Sequence, residues 1–238
     1  MLWVNSTEEE CNMAAFSLYG DIMNFSFFQR SRAADDPNLI ENAPYVVLDT
    51  ELTGLNPKKD SVVSIGAVKM TGSKIELGQT FYRLVKPGTE FTPSSVIVHE
   101  ITPSDVRRKP GIDTALVELE DFLGDSIIVG HFVSIDMGFL NKDAKRCGIK
   151  KIDNPVVDTC SIFDFLRKEG NGFRSQFDDG IVNKDLFSIA RKYNIEVGGA
   201  HNALVDAYIT AQVFQRFLRY MKKFGVFTIR DLLRVGRP

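Results

Sequence analysis

The stretch Tyr45–Leu55, YVVLDTELTGL, decides how the rest of the chain is read. Tyr45 to Leu48 are apolar and read as a short buried strand, with Asp49 and Glu51 at its end. Side chains two apart on a strand point to the same face, so the two carboxylates converge. Like charges beside a buried run repel each other and lose hydration, and bound cations are what most easily hold such a pair. Gly54 and Asn56-Pro57 supply a loop, which leaves the acids at a rim instead of deep in the core. A strand ending in water also tolerates Asp and Glu. This stretch alone therefore leaves a cation site and a solvated strand end both open.

Beyond it the pattern continues strand after strand. Val62–Met70 is β-branched and small, and Phe81–Val85 is another short apolar run. Three strands joined by turns predict an antiparallel meander. Residues 93–105 read as a loop containing His99-Glu100-Ile101-Thr102, in which Thr102-Pro103 caps a short helical turn before Val106. Leu116, Leu119, Phe122 and Leu123 predict a helix over about 114–123. Ile127–Val129 is a buried strand, a helix over 134–147 follows, and Val156-Val157 is the last strand, ending at Asp158. Further helices fit 159–169, 185–193 and 202–222, and Thr228–Leu233 adds a short terminal one. The fold class is α/β: a mixed sheet, meander plus parallel strands, flanked by helices.

Three parts are expected. Residues 1–43 form an N-terminal extension and linker, 44–220 the main domain, and 221–238 a C-terminal tail. In the extension, Ser6 or Thr7 with Glu9 or Glu10 fits a capping box for a helix running toward Gly20. Ile22, Met23, Phe25, Phe27 and Phe28 are too apolar to lie free in water; they either pack on the main domain or dock a partner or a second copy. Asn171 to Gly180 reads as a flexible excursion between helices.

Hydrophobic residues at 44% and charged ones at 25% describe an ordinary globular chain with enough apolar material for a core. The formal net charge of −2 advertises no basic field for nucleic acid, although bound divalent ions can make an acidic cleft attractive to phosphate. Cys11, Cys147 and Cys160 are far apart and lack CxxC spacing, which argues for reduced thiols and against a zinc site. No apolar run reaches membrane-spanning length, and Glu8, Glu9 and Glu10 stand where a signal peptide needs basic charge. The expected location is the cytoplasm.

Two more places match the opening acids. Asp136 follows Gly130-His131 and falls in the first turn of the helix beyond the strand, from which it can face the edge bearing Asp49. An acid there also simply suits the helix dipole. Near the C-terminus stands Gly198-Gly199-Ala200-His201-Asn202-Ala203-Leu204-Val205-Asp206. Residues five apart on a regular helix lie about 140° around its axis, so His201 and Asp206 cannot share a helical face. The two glycines place His201 on the loop entering the helix while Asp206 projects from its first turns.

The order DxE, HxxxxD, HxxxxDA, from Asp49 to Ala207, resembles the DnaQ-like exonucleases of the DEDDh type. That superfamily has an RNase H-like fold and includes the proofreading subunit of bacterial DNA polymerase III and ribonuclease T. The resemblance covers about Tyr45 to Phe217, with Ile101–Val106 (ITPSDV) and Pro155–Thr159 (PVVDT) as further landmarks. Leu52 stands where the family often has Thr, and Phe132-x-x-Ile135 where it often has Asn-x-x-Phe; both departures bear on nucleotide preference.

The resemblance implies a 3′–5′ exonuclease, DNA favoured over RNA, that releases nucleoside 5′-monophosphates. Asp49, Glu51, Asp136 and Asp206 would hold two Mg²⁺ or Mn²⁺ ions about 3.5–4 Å apart. His201 would be the general base, and an unperturbed histidine pKa of about 6.5 suits that task near neutral pH. Leu52 and Thr53 would line the terminal nucleotide, Gly54 approach its sugar, and His99 and Ile135 pack on its base. The implied partner is nucleic acid with a single-stranded or frayed 3′ end. An exoribonuclease of the same fold, or a polymerase-associated subunit that docks or self-associates through residues 1–43, are the alternatives. No membrane partner is implied.

Overall fold

The structure is a computed structural model that describes residues 36–169, 183–199 and 201–238. The expected N-terminal helix, the Phe25–Phe28 cluster and the 171–180 excursion lie outside the described residues. Five strands form one sheet in the order β3-β2-β1-β4-β5. These are β1 Pro44–Leu52, β2 Val62–Thr71, β3 Lys74–Leu84, β4 Ile127–Gly130 and β5 Val156–Asp158. The first three are an antiparallel meander, whereas β4 and β5 run parallel to β1.

The apolar run that opens β1 is buried on both faces of the sheet. Tyr45 and Val47 point into one core and Val46 and Leu48 into the other, as strand alternation requires. The Val46 side is covered by α3, Ile112–Leu123, and α4, Ser134–Cys147, through Leu116, Leu119, Phe139 and Leu140. The Tyr45 side is covered by α5, Thr159–Glu169, α6, Leu186–Lys192, and α7, Ala203–Met221. Tyr45 meets Phe214 of α7 edge to face at 5.0 Å. Asp49 and Glu51 continue the Tyr45–Val47 row, so the acids emerge on the side where α7 packs.

Register explains how the strand end opens. Glu51 pairs with Ser64 but Leu52 with Val62, so one residue of β2 is skipped directly after Glu51. Such a bulge bends the strand and re-aims its side chains. The skipped Val63 packs with Ile101 and Val106 and anchors the segment that carries His99.

That segment differs from the expected loop. Residues Pro93–His99 form a helix, α1, capped by Thr92 and closed by Glu100 in the left-handed region at φ 58°, ahead of α2 at Pro103–Val106. Val96, Ile97 and Val98 are poor helix formers, and the buried Ser95 and His99 hold the turns through tertiary packing instead. β3 also begins earlier than Phe81, because its first half is an exposed, polar edge without an apolar signature. After α7, helix α8, Ile229–Val235, buries Leu232, and the backbone N–H of Asp158 donates to the Gly236 carbonyl at 2.7 Å.

Candidate active site

Close approach of backbone to backbone assembles the site. Gly66 lies opposite Asp49 in β2, and a Cβ built there would fall 2.2 Å from the carbonyl carbon of Ala203 and the nitrogen of Leu204. Only glycine lets the first turn of α7 rest on the sheet at this point, which brings Asp206 down to β1. Ligand-competent oxygens of Asp49, Glu51 and Asp206 lie within 4.8 Å of one another. Asn202 caps α7 by accepting from the N–H groups of Leu204 and Val205. Gly66→Ala is therefore expected to lower kcat more than tenfold and to destabilise the fold by about 1–3 kcal/mol through overpacking. Gly78→Ala on the open edge strand, where a Cβ meets nothing within 4 Å, is the control. Wild-type activity in Gly66→Ala, measured beside that control, would contradict this role for the glycine.

Asp136 arrives from the opposite side of the sheet. Its Oδ1 accepts from the Thr50 backbone N–H at 3.0 Å and from the Thr50 hydroxyl at 2.5 Å. Thr50 sits between the two acids of β1, so these bonds pin Asp136 to the backbone that carries Asp49 and Glu51. Asp136 is not one of the three acids whose oxygens lie within 4.8 Å, but its charge acts on both Asp49 and Glu51.

His201 has the expected relation to Asp206. Its residue is in the left-handed region at φ 65°, and its backbone N–H, not its ring, donates to Asp206 Oδ2 at 3.1 Å. The ring meets Phe187 of α6 edge to face at 5.1 Å. The other oxygen, Asp206 Oδ1, is buried without a hydrogen-bond partner. An orphaned carboxylate oxygen among further carboxylates is costly unless a cation comes to it.

The electrostatics follow from this crowding. Burial, then the charges of Asp136, Glu51 and Asp206, push the Asp49 carboxyl well above its ordinary value. Burial, then the charges of Asp206 and Asp136, raise Glu51 to about 8. Burial raises Asp136 to about 7 against the opposing Thr50 bonds, and Asp206 to about 6 against the His201 N–H. Among the described residues, none of the four pairs with a lysine or arginine. The donor set is all carboxylate oxygen, which fits hard divalent cations.

The expected substrate contacts divide. Leu52 is half-buried, and Ile135 is 42% exposed beside Asp136. Thr53 is fully buried, and its hydroxyl is engaged by the Ser61 N–H at 3.0 Å and by Asp60 and Thr89. Gly54 stands against the Asp60 carboxylate. His99 is buried; Nδ1 accepts from the Ile101 N–H at 3.0 Å, so Nε2 carries the hydrogen, and it has no partner. Burial lowers its pKa, as does the nearby His201.

The histidine of the second motif has a different task. His131 bridges the Thr159 hydroxyl and the Lys184 carbonyl, each at 2.8 Å, and ties α5 to the approach of α6. Reading the sequence missed Thr50, Gly66 and Tyr82. Tyr82 follows Gly66 in the same row across the sheet, and its hydroxyl lies beside Asn202 at the cap of α7. Thr50 lay in plain view inside the DTE triplet, but its role needs the position of α4.

A family model described as exonuclease, that of ribonuclease T, matches residues 46–214. The PolC-type DNA polymerase III of Thermotoga maritima is 34% identical over 206 residues, 84% of this chain. The chain spans only 14% of that polymerase's length. Among solved structures, E. coli exonuclease I with a dT13 oligonucleotide superposes with a TM-score of 0.66 at 20% identity, covering 77% of this chain and 43% of that one. Exonuclease X in complex with 5′-overhanging duplex DNA superposes with a TM-score of 0.58 at 22% identity, covering 81% and 99%. With the mixed sheet and the order of its acids, the match across residues 46–214 means that the chain belongs to the exonuclease family, within the DnaQ-like 3′–5′ exonuclease superfamily.

Proposed function

We propose that this chain is a divalent-metal-dependent 3′–5′ exonuclease that shortens nucleic acid, DNA in preference to RNA, to nucleoside 5′-monophosphates. One observation carries the reading: the half-buried Asp49 and the buried Glu51, Asp136 and Asp206 meet at the end of β1 with, among the described residues, no lysine or arginine paired to them, and Asp206 Oδ1 has no hydrogen-bond partner there. Asp49, Glu51, Asp136 and Asp206 fit a pair of Mg²⁺ or Mn²⁺ ions. When bound, such ions acidify water and neutralise the charge that builds on the scissile phosphate and the leaving 3′ oxygen.

The chain's own residues then divide the labour. Asp136 is held by Thr50 through Oδ1, which leaves its second oxygen to turn toward the cluster. His201 keeps its ring free of Asp206 and accepts the proton of the attacking water. Leu52 and Ile135 present apolar surface to the terminal nucleotide. Thr53 and Gly54 shape the loop beneath its sugar, and His99 packs beneath the side of the base.

The test uses 5′-labelled single-stranded and blunt duplex DNA and RNA with Mg²⁺, Mn²⁺ or EDTA. The expected product is a ladder shortening from the 3′ end, with single strands cut faster than blunt duplex. Inserting an apolar side chain beside the last base requires unstacking it, which costs a few kcal/mol in paired ends. Absence of cleavage with either metal would overturn the enzyme reading, and equal rates on blunt and single-stranded ends the preference.

The PolC-type relative supports a second reading, association with a polymerase, for which residues 1–43 are the proposed docking segment. Gel filtration and pull-down of the chain with and without that segment separate a docking subunit from a free-standing enzyme.

A further inference from the structure

We propose that a basic face beside the acid cluster grips the phosphate backbone of the substrate strand upstream of its 3′-terminal nucleotide. The proposal rests on the nuclease reading and adds the surface along which the strand approaches. The chain has a formal charge of −2, so cations can dominate a face only if folding segregates them. Folding does this with three segments distant in sequence. The loop after β1 brings Lys58 and Lys59, the segment after β3 brings Lys86, and α4 brings Lys142 and Lys145.

A hydrogen bond and a shared groove join the three. Lys142 Nζ donates to the Asp60 carbonyl at 2.9 Å, which ties α4 to the loop after β1. A groove of about 390 Å³ runs between Ser61, Lys86, Gly111, Asp143 and Arg146. Lys58, Lys59, Lys86 and Lys145 are exposed and, among the described residues, none is paired with a carboxylate. The neighbouring acids are committed to the fold. Asp60 accepts from the Asn56 N–H at 2.8 Å, and the buried Asp143 from Arg146 at 3.2 Å, with Lys142 at 3.6 Å. Asp113 also lines the groove and offsets one of these charges.

The stripe along α4 leads away from the reacting end. Ile135, Gly138, Lys142 and Lys145 recur at helical spacing and share one face. A Cβ on Gly138 would meet nothing within 4 Å, so the helix surface is open there. From Asp136 to Lys145 the helix rises about 14 Å, the length of about four stacked nucleotides at roughly 3.4 Å each. The end nearest the acids is apolar, with Leu55, Phe132 and Ile135 exposed by 75%, 43% and 42%. The far end is cationic. Apolar surface for the last bases followed by lysines for the phosphates behind them matches a single strand with its 3′ end at the acids.

The test compares the chain of residues 1–238 with its triple variant Lys58→Gln, Lys59→Gln, Lys145→Gln. Affinity for a 5′-fluorescein 12-nucleotide single strand is measured by anisotropy in EDTA across a salt series. For single strands, each phosphate that is no longer neutralised should reduce the slope of log affinity against log salt by about 0.7. The triple variant's slope should therefore be shallower by about 2, and its KM for the 12-mer should rise. Its turnover of thymidine 5′-(p-nitrophenyl phosphate) with Mn²⁺, which has no upstream strand, should be unchanged. A variant slope equal to that of wild type would overturn the proposal, as would an equal reduction in Arg216→Gln, Arg219→Gln on the far part of α7. A wild type inert toward the ester counts against the nuclease reading alone, because binding in EDTA reports the surface independently.

Discussion

The substitution Asp136→Asn is expected to abolish cleavage and yet leave the metal-free protein at least as stable as the parent. Asp136 Oδ1 accepts both bonds from Thr50, and the amide oxygen of Asn can accept the same two. What disappears is a buried charge facing Asp49 and Glu51. Asp136 has a folded pKa of about 7, above its ordinary 3.8, so the native state binds this proton more tightly than the unfolded chain does. Stability from such a group is full below the ordinary value and is lost as pH rises through the folded value. Asp206 at about 6 and Glu51 at about 8 act in the same direction. In EDTA the wild-type melting temperature should therefore fall between about pH 4 and 8, and Asp136→Asn should flatten that fall. Near pH 7.5, Mn²⁺ should raise the wild-type Tm by mass action and raise the variant's far less. Asp136→Ala is a different change: it strips Thr50 of its acceptor and should cost about 1–3 kcal/mol in EDTA. A lower Tm for Asp136→Asn without metal, together with no metal response in the wild type, would mean that Asp136 is a structural acid.

His201→Ala should lower kcat by about 10²–10⁴-fold while leaving the Mn²⁺-dependent rise in Tm intact. The contact between His201 and Asp206 is made by the backbone N–H, which alanine retains, so Asp206 keeps its orientation. Removing the ring takes away the proton acceptor and leaves every carboxylate in place. The residue's φ of 65° is strained for alanine as for histidine, so little of the change comes from the backbone. Single-turnover rates on a 3′-ended oligonucleotide and thermal melts with and without Mn²⁺ read the two effects separately. Loss of the metal response would make His201 a ligand, and a rate above a tenth of wild type would remove it as the base.

Much of this was legible in local chemistry. The continuous apolar run Tyr45–Leu48, the DxE at its end and the glycines ahead of His201 predict a buried strand with converging acids and a loop histidine, and they occupy those places. The mixed sheet was legible too, because turn-linked strands followed by helix-linked ones leave few topologies. The helix at Pro93–His99 was not, since Val96, Ile97 and Val98 carry a strand's signature and tertiary burial overrides it.

What the sequence by itself determined is which residues carry charge and which neighbours share a face, because spacings of two and of three to four are properties of the chain alone. Distance between separate elements was decided only by the tertiary structure. Gly66 is one small residue in a β-branched run until α7 comes down on it within van der Waals range. Thr50 is a strand residue until Asp136 reaches it from α4. The lysines of three remote segments become one face only after Lys142 meets Asp60. Register and close approach depend on how two cores pack on opposite sides of one sheet, and no local period encodes that.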